Sequence, residues 1–487
     1  MIKENILESK KLIIGIFALL IILTLATPYY GSTDIGDYAD TAKFFAGDYN
    51  AKIRSSHSYL LGFIHAPFVA LFQSFIIFKI SSLIFLFILI YSTYYMSERN
   101  IRVLWMILLS PVVWYMAPWI NPIQLASIFL LWAWHFMNLY HTKEKIEYLI
   151  YSAILIGLGW AFWDTILYFG IILGICFLYD KKIWHGGVYL IFILIGLLPR
   201  LILDQYLFNF AFFTSIKTFL SGFANIFGGI YEKVSGHSPR TLGTILPFIL
   251  AIPLLFWKMY SIQNIKEQKR SIIFITLSLI LLLTNPQIRY ILALAPIIIL
   301  IASRNLTQKE FKINFLFSSL IILAFIFPYI LQINGTVNNQ LYGAEFTGIL
   351  NSGVNFVPGQ MSGILKEDIY AIAEDFPDSS FIVGNNPDDY QVLAHFYSGN
   401  KIKEFVSIQD YDLFIKNETI LYKKRFEPIP NILERRQFWI EGGLKKNDND
   451  STNYRAIEYG IGLNEPIRLE GFRVIEKYDL IYLSKKV

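Results

Sequence analysis

Apolar runs long enough to cross or nearly cross a bilayer recur along two thirds of this chain, and they exclude most other folds. They fall at about 12–28, 74–96, 101–118, 122–140, 147–163, 165–179, 183–202, 241–257, 271–284, 289–303 and 313–331, about eleven in all. Only 16% of the 487 residues are charged and 55% are hydrophobic, too apolar for a water-soluble globule of this size. Mean hydropathy is +0.47, and the first run is followed by so many others that it reads as a retained helix rather than a cleaved signal peptide. Net charge is +5, with the basic residues scattered between apolar runs instead of gathered in a nucleic-acid-binding arm. The single cysteine, Cys176, lies inside an apolar run, which leaves no intramolecular disulfide and no cysteine-based metal site.

Lysine and arginine set the orientation. One alternate set of connections holds Lys3, Lys10, Lys11, Arg99, Arg102, Lys143, Lys145, Lys181, Lys182, Lys258, Lys266, Lys269, Arg270, Arg304, Lys309 and Lys312. That is about sixteen basic residues in about fifty positions, against about eight in about eighty for the other set, so the first set is cytoplasmic. The N-terminus is then cytoplasmic and the C-terminus outside. Counting the apolar stretch 58–72 as a crossing would invert every later loop, so it reads as a juxtamembrane helix, with Lys79 snorkelling outward near the end of the second span. Beyond Asn334 the composition becomes that of an ordinary globule, with strand-like segments at 381–384, 402–407, 418–423 and 478–484 and a helix-like Asp388 to Tyr397. The expected fold is an α-helical polytopic membrane protein of about eleven transmembrane helices, residues 1–333, with a small extracytoplasmic α/β domain at 334–487. Its long outer loops are 29–57 and 203–240.

That topology puts the polar residues of interest on one side. Asp34 and Asp37 are three apart in the first outer loop and can share a face as a general base or a metal-binding pair, or simply form a capped, solvated acidic turn. Asp164 sits among Trp160, Phe162 and Trp163 between two spans with almost no loop, and ionisable groups at membrane depth are costly. Arg54, Arg200, Arg240 and Arg289 lie at or near outer span ends, where a guanidinium either anchors at the interface or grips a phosphate by paired hydrogen bonds. Arg289 begins a span, against the helix dipole, which points to an anion there. His57 and His65 flank the juxtamembrane helix as structural or interfacial groups. Among motifs, no phosphate-cradling glycine loop and no serine nucleophile elbow occurs; Asn334, Asn417 and Asn449 begin glycosylation triplets.

Three local patterns resemble the multi-spanning GT-C glycosyltransferases, specifically the dolichyl- or polyprenyl-phosphate-sugar group that includes protein O-mannosyltransferases and the bacterial aminoarabinose transferase. They are Asp34-Ile-Gly-Asp37-Tyr38-Ala-Asp-Thr-Ala42-Lys-Phe-Phe-Ala-Gly47 in the first outer loop, Ser55-Ser56-His57-Ser58 with Ala66-Pro67 where the family has a His-Pro-Pro-like stretch, and Arg289-Tyr290 opening a span that runs to Pro296. The family's adjacent Asp-Glu pair is replaced by two spaced aspartates, and its paired prolines are missing. The resemblance implies a sugar held on a lipid phosphate and transferred, with inversion, on the outer face of the plasma membrane to a lipid, glycan or protein acceptor. Asp34 or Asp37 would take the acceptor proton; Arg289, Arg240, Arg54 and Arg200 would hold the lipid phosphate; Asp164, His57, Tyr38 and Tyr290 would position donor or acceptor. Metal use stays open, since Asp34 and Asp37 would bind one divalent cation, Mg or Mn, or none. The competing classes are a flippase for a polyprenyl-linked glycan, which would place its groups near the midplane and show repeated halves, and an assembly subunit without catalysis.

Overall fold

The structure, a computed structural model, describes residues 10–26, 35–47, 58–72, 76–208, 210–216, 242–333, 363–384, 404–408, 411, 457–463, 465–478 and 481–487. The chain divides into two compact units, Met1–Thr27 with Phe78–Ile202 and Ser215–Val357, and Pro28–Ile77 with Leu203–Thr214 and Pro358–Val487.

The first unit is a helical bundle. Its helices are α1 (Lys10–Ala26), α4 (Ile76–Met96), α5 (Ile101–Leu108), α6 (Pro111–Met116), α7 (Ile123–Lys143), α8 (Ile146–Phe162), α9 (Thr165–Leu178), α10 (Ile183–Phe208), α11 (Leu242–Ala251), α12 (Ile262–Leu282), α13 (Ile291–Ser303) and α14 (Gln308–Ile333), where α4 and α10 each run slightly beyond the unit. At its heart is α13, apolar on every side and buried from Ile291 to Ala302, as such a helix must be. Two helices, Ile76–Met96 and Ile183–Leu207, are long and apolar enough to cross a bilayer alone, and shorter apolar helices accompany them. Along α4, Ile80, Ile84, Ile88, Tyr91 and Tyr95 form an exposed stripe at helical spacing. Leu190, Leu194 and Leu198 do the same on α10. Such stripes are unfavourable in water and natural in lipid, so the architecture is that of an α-helical polytopic membrane protein.

Two expected spans are shorter than their apolar runs. The run 101–118 breaks at Ser110, because Pro111 cannot continue the preceding helix and instead starts α6. The run 241–257 is helical only over Leu242–Ala251 and passes into a 3-10 turn at Phe256–Tyr260. The expectation for Lys79 also fails. Rather than snorkelling, Lys79 is 2% exposed and its Nζ donates to Thr24 O at 3.0 Å. That bond, with Phe17 edge-on to Phe87 further down, makes α1 and α4 antiparallel neighbours. The apolar helix expected to lie along the membrane has 13 residues and a length of about 20 Å, less than the hydrocarbon thickness of a bilayer.

The two ends of the bundle are chemically distinct. At one, Lys181 pairs with Glu144 at 2.6 Å and Arg270 pairs with Asp180 at 2.6 Å, drawing together the α7–α8 turn, the α9–α10 turn and α12. At the other lie Asp164, Arg200, Arg289 and their aromatic neighbours. Small residues set the packing between them. A Cβ on Gly157 of α8 would run into Ile193 O of α10, and one on Gly196 into Ile154 O, so these helices meet backbone to backbone. On the third side a Cβ on Gly170 of α9 would strike Ile156 of α8.

In the second unit, α2 (Ile35–Phe45) and α3 (Leu60–Phe72) pack so closely that a Cβ on Gly62 would lie 2.6 Å from Thr41 Cβ. Phe45 meets Phe63 edge-on at 5.2 Å, and Tyr59, Leu207 and Phe213 form a buried cluster against Phe44 and Phe45. Asp204, 1% exposed, accepts from Thr214 N at 2.9 Å and so folds the chain after α10 back on itself. The C-terminal part holds α15 (Gly363–Asp375) and a sheet in the order β2-β1-β3-β5-β4, with β1 (Ser380–Val383), β2 (Glu404–Ser407), β3 (Tyr459–Leu463), β4 (Phe472–Lys477) and β5 (Ile481–Lys486). β1 is parallel to β2 and β3; β5 runs antiparallel to β3 and β4. Strands were expected at the positions of β1, β2 and β5, whereas α15, β3 and β4 carry no strong periodic signal; 388–397 and 418–423 lie outside the described residues.

Replacing Gly196 by Ala is expected to lower stability by about 1–3 kcal/mol through overpacking, while Gly187→Ala is expected to change it by less than about 0.5 kcal/mol. Gly187 has nothing within 4 Å of an added Cβ, and thermal unfolding of the purified protein reads both. A second expectation concerns His65, 3% exposed, whose Nδ1 donates to Leu61 O at 2.6 Å. Burial pushes its imidazole below the usual 6.5, partly offset by that bond. Because the folded-state value is lowered, the associated stability is present above pH 6.5 and lost as pH falls below it. Melting of the wild type should therefore fall more steeply between pH 6.5 and about 5 than melting of His65→Gln.

Candidate functional site

The backbone contact at Gly157 and Gly196 decides what happens one turn further along both helices. There Arg200 of α10, 0% exposed, meets the end of α8: its Nη1 donates to Trp160 O at 3.0 Å and to Asp164 Oδ1 at 2.7 Å, and its Nη2 reaches Asp164 Oδ2 at 3.4 Å. Trp160 Nε1 adds a 3.3 Å bond to the same carboxylate. Asp164 stands at the N-cap of α9, yet its side chain makes no cap bond. It is committed to Arg200, which could not otherwise be held inside the bundle as a charge.

Beside this pair runs an aromatic path to a second arginine. Trp163 packs on Tyr290 with ring centroids 5.3 Å apart. Arg289 lies over the Tyr290 ring at 5.4 Å and over Trp119 at 5.9 Å, and its Nε donates to Gln287 Oε1 at 2.5 Å. Stacking and the Gln287 bond hold the guanidinium flat in a fixed orientation. Trp119 is itself fixed, because Gln124 Nε2 donates to Met116 O and to Trp119 O, both at 3.0 Å. The 3-10 turn Ile288–Tyr290 leads directly into α13, so the Arg289 charge and the positive end of the helix dipole add at one place. That place favours an anion.

Below Trp160 an apolar groove of 590 Å³ runs between α9 and α10, lined by Trp160, Leu167, Ile171, Ile175, Leu190 and Leu194. Tyr179 lines its opposite end, about 17 Å away along α9. Nearly all its wall is hydrocarbon, which suits a chain of the same chemistry.

The structure thus gathers Asp164, Arg200, Arg289 and Tyr290 at one end of the first unit. Tyr38, in the second unit, is buried in α2 at 4% exposure. Asp37 falls in the first turn of α2, and its side chain is outside the described part. Asp34, Arg54, His57 and Arg240 lie outside the described residues. Among the described residues no group of three His, Cys, Asp or Glu could hold a metal ion. Sequence reasoning missed Gln287, Trp119 and Asp204. For Trp119 and Gln287 the available signal was a polar or aromatic residue next to Pro118 or Pro286 in a very short turn; Asp204 is hidden because its partner, Thr214, is polar and ten positions away.

No protein-family model matches this sequence, and no curated protein does. Among solved structures the chain is similar to ArnT from Cupriavidus metallidurans bound to undecaprenyl phosphate, with a TM-score of 0.59 and 12% identity, covering 98% of this chain and 97% of that one. The apo state of the same transferase gives a TM-score of 0.56 at 12% identity, over the same shares of the two chains. At that identity the likeness is one of fold. The resemblance to GT-C glycosyltransferases drawn from short motifs holds for the fold of almost the entire chain.

Removing Asp164 strands Arg200 as a buried charge, whereas Asp164 itself is only partly buried. Asp164→Leu is expected to cost about 3–5 kcal/mol, and the double change Arg200→Met with Asp164→Leu distinctly less. A double-mutant cycle by thermal unfolding reads the difference.

Proposed function

We propose that this protein is a membrane glycosyltransferase that takes a sugar from a polyprenyl- or dolichyl-phosphate donor and transfers it, with inversion, to a lipid, glycan or protein acceptor. The observation that carries this reading is a hydrocarbon-lined groove that reaches Trp160, at the same end of the first unit that presents Arg289 at a helix start. A lipid phosphate needs both, hydrocarbon for its chain and a cation for its head. Its isoprenoid chain would lie in the groove between α9 and α10 and its phosphate would rise toward Arg289, whose flat, aromatic-backed guanidinium suits paired bonds to two oxygens. The similar fold of a transferase with undecaprenyl phosphate bound supports the same donor class.

In the transfer step an acceptor oxygen attacks the anomeric carbon, and the bond from that carbon to the phosphate oxygen breaks. The polyprenyl phosphate leaves with the electron pair. Asp34 or Asp37 takes the acceptor proton, and Arg289, with Arg240 and Arg54, meets the negative charge that develops on the leaving phosphate. Arg200 takes a different part from the other arginines. Tied to Asp164, it braces the groove's outer end through Trp160. Tyr290 and Trp163 then hold Arg289 against that brace. His57 and Tyr38 remain with the first loop as positioning groups, and a divalent cation, Mg or Mn, at Asp34 and Asp37 belongs to the same proposal.

About eleven crossings, with the basic loops cytoplasmic, place this chemistry on the outer face of the plasma membrane, N-terminus inside, with a transmembrane domain over 1–333 and an extracytoplasmic domain over 334–487.

The test uses the full chain in nanodiscs with a panel of radiolabelled undecaprenyl-phosphate sugars and membrane-extracted acceptors. Transfer of label is expected, with Arg289→Ala slower by about 100- to 1,000-fold. Ile175→Trp and Leu190→Trp, which fill the groove, should raise KM for the long donor by about 10-fold and leave a geranyl-phosphate donor nearly unaffected. Transfer that survives both Asp34→Asn and Asp37→Asn would remove the base assignment. Movement of a lipid-linked glycan across the bilayer without any transfer would replace the enzyme by a flippase.

A further inference from the structure

One surface of the first unit sets exposed apolar side chains directly beside exposed cations, and the proposed reaction does not use it. It runs from the 3-10 turn Phe256–Tyr260 through the first turns of α12 to Arg270. Trp257 is 51% exposed and Ile262 76%, with Tyr260 and Ile265 exposed as well. Lys266 and Lys269 are exposed on the same stretch, and neither makes an ion pair among the described residues.

The segment is held in place from within. Ser261 caps α12 by accepting from Asn264 N at 3.4 Å. Asn264, 0% exposed, donates through Nδ2 to Lys258 O at 3.0 Å and accepts from Asn305 Nδ2 at 2.7 Å, which ties the start of α12 to the turn between α13 and α14. Lys258 pairs with Glu310 at 2.7 Å, and the Tyr260 hydroxyl shares a 2.9 Å bond with Thr276 Oγ1. Asn264 lies on the opposite side of the helix from Ile262. Fixing it inside therefore fixes Ile262, Ile265 and Lys266, three and four positions apart, together on the outside. A break in helical geometry at Gln268, with φ −133° and ψ 31°, sets these turns off from the apolar span that follows.

Water is a poor medium for the apolar half of this surface, and hydrocarbon for the basic half. The headgroup layer of a bilayer accepts both, and it is where Trp and Tyr rings settle. Lys258 already lies over the Trp257 ring at 5.4 Å. Residues 256–270 and 304–312 carry seven basic side chains against two acidic ones, and Lys309 is exposed beside the Lys258–Glu310 pair. That balance selects a negative headgroup over a zwitterionic one.

We propose that Phe256–Arg270 is an interfacial collar that binds the headgroups of anionic phospholipids, with Ile262 and Ile265 at the acyl boundary and Lys266 and Lys269 on the phosphates. On the orientation proposed above, the leaflet is the cytoplasmic one. The inference stands apart from the transferase reading, because no step of the reaction enters it.

Photocross-linking of the full chain in phosphatidylcholine nanodiscs tests the collar, with phosphatidylglycerol or phosphatidylcholine bearing a photoactivatable headgroup as the probe. Peptides covering 256–270 should take up the phosphatidylglycerol probe about 10-fold more than the phosphatidylcholine probe at equal mole fraction. The double change Lys266→Gln with Lys269→Gln should lower that preference to about 2-fold, whereas Lys266→Arg with Lys269→Arg should keep it. Ile262→Ser with Ile265→Ser should reduce labelling by both probes alike. Should the glutamine variant fail to fold, the wild type carries the test alone, its preference falling by about half or more as salt rises from about 0.1 M to about 0.5 M. Equal labelling by the two probes, or a preference that neither salt nor the lysine changes reduce, would overturn the proposal. Absence of labelling by either lipid would place this surface clear of the bilayer, open to a soluble partner, and would overturn it as well.

Discussion

The contact on which the first unit depends is the one with no side chains in it. Gly157 and Gly196 let α8 and α10 touch through their backbones, and each glycine occupies space that a Cβ would need. Without a hydrophobic driving force between helices in lipid, close approach and polar bonds must supply the association. The approach brings Arg200 within reach of Trp160 O and Asp164, so the ion pair follows from the glycines. Tyr189, whose hydroxyl donates to Gly170 O at 3.1 Å, repeats the device between α9 and α10. Where those two helices part, the groove is left open to lipid.

Charge is handled in two ways in this molecule, according to depth. Lys181–Glu144 and Arg270–Asp180 are partly exposed pairs that tie turns together at one end and contribute modestly. Arg200–Asp164 and Lys79–Thr24 are buried, and there a partner is obligatory. Arg289 is the intermediate case. It is half-buried, propped by aromatic faces and by Gln287, and placed where a helix dipole adds to its charge.

The second unit keeps its polar groups inside in a different manner. Asp204 folds a turn by accepting from Thr214, and His65 satisfies itself against its own helix through Leu61 O. Both work over short sequence distances, and they let α2 be seated by the tight Gly62–Thr41 contact and a shell of phenylalanines. The helix that carries Asp37 is thus fixed from one side by packing.

Much of this was legible beforehand. Hydropathy is a local property, so the positions of the apolar helices could be read directly, and alternating basic loops separated one end of the bundle from the other. Asp164, Arg289 and Tyr290 could be picked out as charges and rings in very short turns. Pro111 marked the break in the third run, although its apolar flanks masked it. Unlocal facts were not available in this way. That Arg200 pairs with Asp164, that Lys79 turns inward to α1, and that Leu207 and Phe213 pack against Phe44 and Phe45 depend on which helices are neighbours. Sequence alone determined which segments must leave water, because each residue carries its own transfer free energy. The tertiary structure alone decided which buried charges are satisfied by the protein and which face outward, because that balance is struck between residues far apart in the chain.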